Sequence, residues 1–268
     1  GMFRTSSNLA SAYGIAVTAT MVITATLAFV VMRKMWRWSL PVALAVISPL
    51  LVIDIVFLAS NLTKIMEGGF IPLMIAGFIV LLMNTWVCGT TILHKQLYHR
   101  NNTMPALMET LEETPPQRID GTAIYLSNDV SHAPSALLQN LKHYQVLHTQ
   151  NLVLNLQFAN EPYIDDSQRI QITKLNGIFT QVIINFGYME SPNVPHALRL
   201  LKKKKFPLDL KVTTFFISRH HIVSSAKFGM PKWQDNIFIA LSNNANSPED
   251  YFHLPRGRVV ILGVQLKV

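Results

Sequence analysis

The pattern of hydrophobic and polar positions divides the chain into two parts. Up to about residue 93, long apolar stretches alternate with short polar ones, and beyond that point the apolar runs become short. A helix that crosses a bilayer needs about 20 mostly apolar residues. Three stretches meet this requirement, and they predict transmembrane helices at about residues 8–32, 40–62 and 69–93.

The first predicted span is uncharged, yet it is rich in Ser, Thr, Ala and Gly. On a helix, one row of small side chains is formed by Ser6, Ala10, Gly14 and Thr18. Small residues allow membrane helices to approach closely, so the simpler interpretation is a packing face. The sharper one is a polar translocation route, with Tyr13, Thr18 or Thr24 facing water. Thr hydroxyls can also donate to carbonyls of their own helix.

Asp54 is the only charged residue inside a predicted span. An acid within the membrane is costly unless it is paired or hydrated, which makes it a functional candidate by default. The alternative is a structural hydrogen bond to a neighbouring helix. The candidate residues for helix packing or a polar route are therefore Tyr13, Gly14, Thr18 and Asp54.

Flanking charges predict the orientation of the spans. The loop Arg33–Trp38 carries three positive charges, Lys64 and Glu67 balance each other in the next loop, and Lys95 and Arg100 follow the third span. The positive-inside rule then places the first loop and everything after the third span in the cytoplasm. An odd number of spans that begins outside indicates further helices upstream, so we expect a fragment of a longer multi-pass membrane protein.

The remaining sequence has the composition of a soluble domain, with sixteen Lys/Arg and thirteen Asp/Glu after residue 100. We expect a linker at residues 101–121, containing Pro115 and Pro116, and an α/β domain at 122–268. Strand-like runs lie at 122–127, 151–158, 169–175, 178–186, 211–218 and 258–266, and helix-like runs at 134–145, 194–204 and 231–245.

Several classes of function find no support in the sequence. Most of the net charge of +8 lies beside the apolar segments, and no basic stripe with interleaved aromatics indicates nucleic-acid binding. Nucleotide-binding glycine loops and nucleophile motifs do not occur. The histidines lack metal-ligand spacing, and Cys88 is the single cysteine. We therefore expect neither an enzyme nor a cofactor.

Five stretches resemble motifs of the KUP/HAK/KT family of bacterial potassium uptake permeases. They are SSNLASAYGIAVTATMVIT (Ser6–Thr24), NLTKIMEGGFIPL (Asn61–Leu73), NLKHYQVLH (Asn140–His148), GYMESPNVP (Gly187–Pro195) and PRGRVVILGVQLKV (Pro255–Val268). The resemblance extends in order from Ser6 to the last residue.

The resemblance implies the last three spans of a LeuT/APC-like transporter, followed by a cytoplasmic mixed α/β domain. It implies uptake of K⁺, coupled to H⁺, with the K⁺ ligands on upstream helices and no metal site in this chain. The implied partners are the lipid bilayer, the missing N-terminal transmembrane helices, a second copy through the cytoplasmic domain, and a cyclic dinucleotide regulator. The alternative is a membrane-anchored regulatory or ligand-sensing module that binds a nucleotide.

Overall fold

The chain folds as two compact units, Gly1–Asn84 and Thr85–Val268. The computed structural model describes residues 6–98, 103–127, 129–204, 206–224, 230–245 and 247–267. The division falls inside the third long helix, so that the second unit begins with the last turns of that helix.

Three long helices lie at the positions of the apolar stretches: α1 (Ser6–Lys34), α2 (Leu40–Leu62) and α3 (Phe70–Tyr98). Each is long and apolar enough to cross a membrane. The helices α1 and α3 continue beyond the predicted spans into polar residues, because an α-helix does not have to end where its apolar surface ends. A short 3-10 turn, Ile65–Glu67, follows α2.

Helices α1 and α2 pack against each other within the first unit. The loop between them is fixed by Arg33, whose Nη1 donates to the carbonyl of Trp38 at 2.6 Å. The ring of Trp38 lies 5.5 Å from that of Trp36. Aromatic and basic side chains of this kind are typical of the membrane–water interface.

The second unit contains a six-stranded sheet in the order β3-β4-β2-β1-β5-β6. Its strands are β1 (Gln117–Ser127), β2 (Val146–Ala159), β3 (Ile170–Lys174), β4 (Phe179–Gly187), β5 (Thr213–Val223) and β6 (Val259–Lys267). Every pairing is parallel except that of β3 with β4. The helices are α4 (Met104–Glu113), α5 (Ser135–His143), α6 (Val194–Lys203), α7 (Lys232–Asn243) and the short α8 (Pro248–Tyr251). The expected mixed α/β domain is therefore present.

Helices cover both faces of the sheet, as the buried apolar strands require. Along β2, Leu152 and Leu154 belong to the core beneath α6, whereas Val153 belongs to the core beneath α4 and α5. This alternation follows from the two-residue period of a strand. A third apolar cluster joins Phe238 of α7 to the last turns of α3, where Trp86 lies 5.6 Å from its ring.

The segment assigned to a linker by the sequence is more ordered than expected. Helix α4 occupies 104–113, with Met104 and Leu111 buried in the core, and β1 already begins at Gln117. The two prolines mark only the short break between these elements. Their effect on the neighbouring backbone is local, whereas packing against the sheet stabilises α4.

Candidate functional site

Two of the family-like motifs meet where the first turns of α1 contact the end of α2 and the turn after it. A Cβ atom on Gly14 would lie 2.9 Å from Oδ1 of Asn61, and a Cβ on Gly69 would overlap the side chain of Ile15. Glycine therefore allows the two segments to approach closely at both positions. The motifs Ser6–Thr24 and Asn61–Leu73 form the two halves of one helix contact.

Gly68 is required at this contact for a second reason. Its φ is +116°, a conformation that residues with a side chain rarely adopt, and a Cβ there would lie 2.8 Å from the carbonyl oxygen of Asn8. Gly68 thus ends the 3-10 turn in a left-handed conformation and lets the chain enter α3 beside the start of α1.

The predicted site residues of α1 lie on different sides of the helix. Thr18 is buried, and its hydroxyl donates to the carbonyl of Gly14 at 2.8 Å. Tyr13 is 71% exposed and lines an open groove between α1 and α2. The hydroxyls of Thr20, Thr24 and Thr26 each donate to the carbonyl four residues earlier at 2.8 Å. These hydroxyl donors are satisfied within their own helix.

Asp54 lines the same groove as Tyr13. It lies on the buried face of α2 that also includes Ala43 and Ile47, and only 7% of its surface is exposed. The structure thus brings Asp54 and Tyr13 to one groove and directs Gly14 toward Asn61 instead.

In the second unit, the motif Gly187–Pro195 forms one wall of a cleft at the end of β4. Glu190 receives two hydrogen bonds from the guanidinium of Arg169, at 2.6 and 2.9 Å, and also accepts from the backbone N–H of Gly187 and Ile164. This bidentate pair holds the pKa of Glu190 at about 2, mainly through the hydrogen bonds from Arg169. A Cβ on Gly187 would overlap the backbone of Pro162.

The cleft has a volume of about 310 Å³ and is bordered by the start of α6. Its polar and aromatic lining includes Tyr163, Arg169, Phe186, Asn193 and His196. The guanidinium of Arg169 also lies over the ring of Phe186, 5.7 Å from its centroid. Arg169 is a central residue that the sequence did not single out, because its partner is 21 positions away.

The motif Asn140–His148 connects α5 to β2. The side-chain amide of Asn140 donates to the carbonyl of Val146 at 2.7 Å and to the hydroxyl of Tyr125 at 3.2 Å. Asn140 therefore fixes the turn by which the chain leaves α5 and enters the sheet. Among the described residues, no group of three or more His, Cys, Asp or Glu is placed to hold a metal ion.

The chain matches known transporter sequences in both of its units. Residues 1–91 match the family model of the K⁺ potassium transporter integral membrane domain, and residues 120–268 match that of the K⁺ potassium transporter C-terminal domain.

Curated relatives match over nearly the whole chain. The probable potassium transport system protein Kup 3 of Bradyrhizobium sp. strain BTAi1 is 46% identical over 100% of this chain and 42% of its own length. The probable potassium transport system protein Kup of Caulobacter vibrioides is 45% identical over 99% of this chain and 40% of its own length. This chain thus spans about two fifths of the length of these relatives. These matches place it in a transporter family rather than an enzyme family, and the chain belongs to the KUP/HAK/KT family of potassium transporters.

Proposed function

We propose that this chain forms the last three membrane spans and the cytoplasmic C-terminal domain of a transporter for K⁺ uptake. The observation that carries the proposal is the match of two potassium transporter family models, one to each unit and in the family's order. The relatives named as potassium transport system proteins support it, at 43–46% identity.

The proposal includes coupling to H⁺ and a LeuT/APC-like membrane fold. In transporters of that architecture, the ion site lies near the middle of the membrane, between repeats built from broken helices. None of the helices α1 to α3 is broken within its apolar stretch. The continuity of these three helices supports the proposal that the K⁺ ligands lie on helices outside this chain.

The positive loop at Arg33–Trp38 supports an inner-membrane orientation with the α/β domain in the cytoplasm. A reporter fusion after α3 tests it. Alkaline phosphatase, which is active only outside the cytoplasm, should be inactive there, and a fluorescent protein should be bright. The reverse pattern would overturn the orientation.

The test of function uses the full-length protein in a bacterium that lacks its own K⁺ uptake systems. We expect growth at low K⁺ with the full-length protein and none with residues 1–268 alone. Absence of growth despite normal amounts in the membrane would refute the proposal. Acidification inside proteoliposomes during K⁺ entry tests the coupling to H⁺, and K⁺ entry without proton movement would exclude it.

A regulatory role for the α/β domain is a second candidate, supported by the cleft beside Arg169 and Glu190. A cyclic dinucleotide offers phosphates and purine rings, and the cleft offers His196, Asn193 and the ring of Tyr163. Calorimetric titration of the purified full chain with cyclic di-AMP tests this. Binding that is weakened at least tenfold by Tyr163→Ala supports the role, and absence of binding excludes it. Dimerisation through this domain would appear as a doubled mass in light scattering.

A further inference from the structure

The membrane unit contains an open groove between α1 and α2, with a volume of about 650 Å³. Its α1 side includes a row of small residues spaced four apart, namely Ala16, Thr20, Thr24 and Ala28. Its α2 side is formed by Ile47, Leu50 and Asp54. This row differs from the row Ser6–Thr18 that the sequence indicated, and it lies on another side of the helix.

The small row presents an apolar surface despite its two threonines. The hydroxyl of Thr20 donates to the carbonyl of Ala16, and that of Thr24 donates to the carbonyl of Thr20, both at 2.8 Å. Neither hydroxyl needs another acceptor. Rows of small residues of this kind allow a second membrane helix to pack closely.

Asp54 provides the second, independent observation. Its side chain is more than nine-tenths buried and lines this groove, and it makes no hydrogen bond or ion pair to any part of the chain that the structure describes. An unpaired carboxyl group at this depth is costly in lipid, and acyl chains cannot donate a hydrogen bond. The hydroxyls of the two threonines that line the same groove already donate within α1.

We propose that this groove binds a membrane helix from the part of the transporter upstream of this chain, and that this helix carries a hydrogen-bond donor facing Asp54. The inference rests on the proposed function. The occupant follows from the length outside the chain, since about three fifths of each relative is unmatched and residues 1–91 match an integral membrane domain. A helix with a donor supplies both close packing and the missing partner of Asp54.

Photo-crosslinking in the full-length transporter tests the docking. Benzoyl-phenylalanine replaces Met21, which lines the groove, or Val52, which is 59% exposed and outside the groove lining. After illumination of native membranes, digested peptides are identified by mass spectrometry. We expect the Met21 probe to link to an upstream helix and the Val52 probe to link mainly to lipid.

Links from Met21 only to lipid, or to a second copy of the transporter, would overturn the docking. A second copy is recognised by mixing protein grown with light and heavy isotopes. Because crosslinking does not require transport, a transporter that fails to carry K⁺ can still give the expected links. Failure of this inference is therefore distinguishable from failure of the proposed function.

The role of Asp54 is tested by comparing Asp54→Asn, Asp54→Leu and the control Val52→Leu, each with the Met21 probe. A hydrogen bond between membrane helices changes their association by about three- to tenfold, so the Leu variant should lower the crosslink yield, by at most about that factor. The Asn variant, which still accepts a hydrogen bond, and the control should stay within about twofold. An unchanged crosslink yield in Asp54→Leu would overturn the proposal that the docked helix donates a hydrogen bond to Asp54. If that variant fails to insert, the wild-type links still decide the docking.

Discussion

The pair of Arg169 and Glu190 offers the most direct test of what stabilises the α/β domain. Each side chain is only 13% exposed, and the two are joined by two hydrogen bonds in parallel. Glu190→Gln keeps the size of the side chain, but its single amide oxygen can accept only one of the two backbone N–H groups, because Ile164 donates to Oε1 and Gly187 to Oε2. It removes the charge and leaves the guanidinium of Arg169 with only the exposed Asp166 as an anionic partner.

The size of the effect follows from the pKa of Glu190. A fall from 4.5 to about 2 corresponds to about 3 kcal/mol in favour of the charged form in the folded state. Removal of one partner of a largely buried pair has a comparable cost. We expect Glu190→Gln to lower the free energy of unfolding by about 3 kcal/mol.

Asp166→Asn is the matched control, because Asp166 bonds to the same guanidinium at 3.0 Å but is 53% exposed. Exposed ion pairs contribute at most about 1 kcal/mol. Pulse proteolysis of the purified full chain in increasing urea measures both variants at neutral pH. The reasoning would be refuted if the two substitutions had equal effects, or if Glu190→Gln stayed within about 1 kcal/mol of the wild type.

The same pair predicts a dependence on pH. Because the pKa of Glu190 is lower in the folded state than in the unfolded state, its contribution is complete above about pH 4.5 and is lost as the pH falls toward 2. Proteolysis with pepsin between about pH 5 and pH 3 should show this loss in the wild type but not in Glu190→Gln. If pepsin cleavage of the wild type and of Glu190→Gln changed with pH in the same way, the assignment of this pH dependence to Glu190 would be contradicted.

Two further predictions concern other positions. Gly68→Ala should destabilise the membrane unit by at least about 1–2 kcal/mol, because Gly68 has a φ of +116° and lies against the carbonyl of Asn8. The control Gly77→Ala should be tolerated, because a Cβ there would meet open space. The two variants are compared by the fraction of the full chain that stays soluble in detergent on heating. Burial lowers the pKa values of His148 and His220, so the unfolded chain binds more protons and unfolding should become easier as the pH falls below about 6.5. When both histidines are replaced by Gln, the urea midpoint of unfolding should depend less on pH between about pH 7 and pH 5. An unchanged dependence of the midpoint on pH would refute the role of these two histidines.

The sequence predicted the existence of the main elements well and their limits less well. Long uncharged apolar stretches have few alternatives to membrane helices, and six β-rich runs correspond to six strands. Helix α4 was missed because its amphipathic face gains stability only against a sheet formed by distant segments. The pairing of Arg169 with Glu190 was missed for the same reason, since no local signal joins the two positions.

The side of α1 that faces a partner could not be predicted from the sequence, for a geometric reason. A row of small residues can be drawn on more than one side of this helix, and only the packing of α2 decides which row is covered. Ile15 and Thr18 are buried, whereas the row from Ala16 to Ala28 lines the open groove. The burial of Asp54 beside that open row depends on the same packing, so its exposure could not be read from hydropathy.

The contact between Gly14 and Asn61 and that between Gly68 and Asn8 give a physical reason for the motifs that first indicated the family. The paired residues are 47 and 60 positions apart along the chain, and the glycine of each pair is required because two helix ends meet there. The need for close packing explains these motifs without any contact with an ion. The two membrane motifs of the family therefore include residues that hold α1 and α2 together, whereas K⁺ recognition, in our proposal, belongs to helices outside this chain.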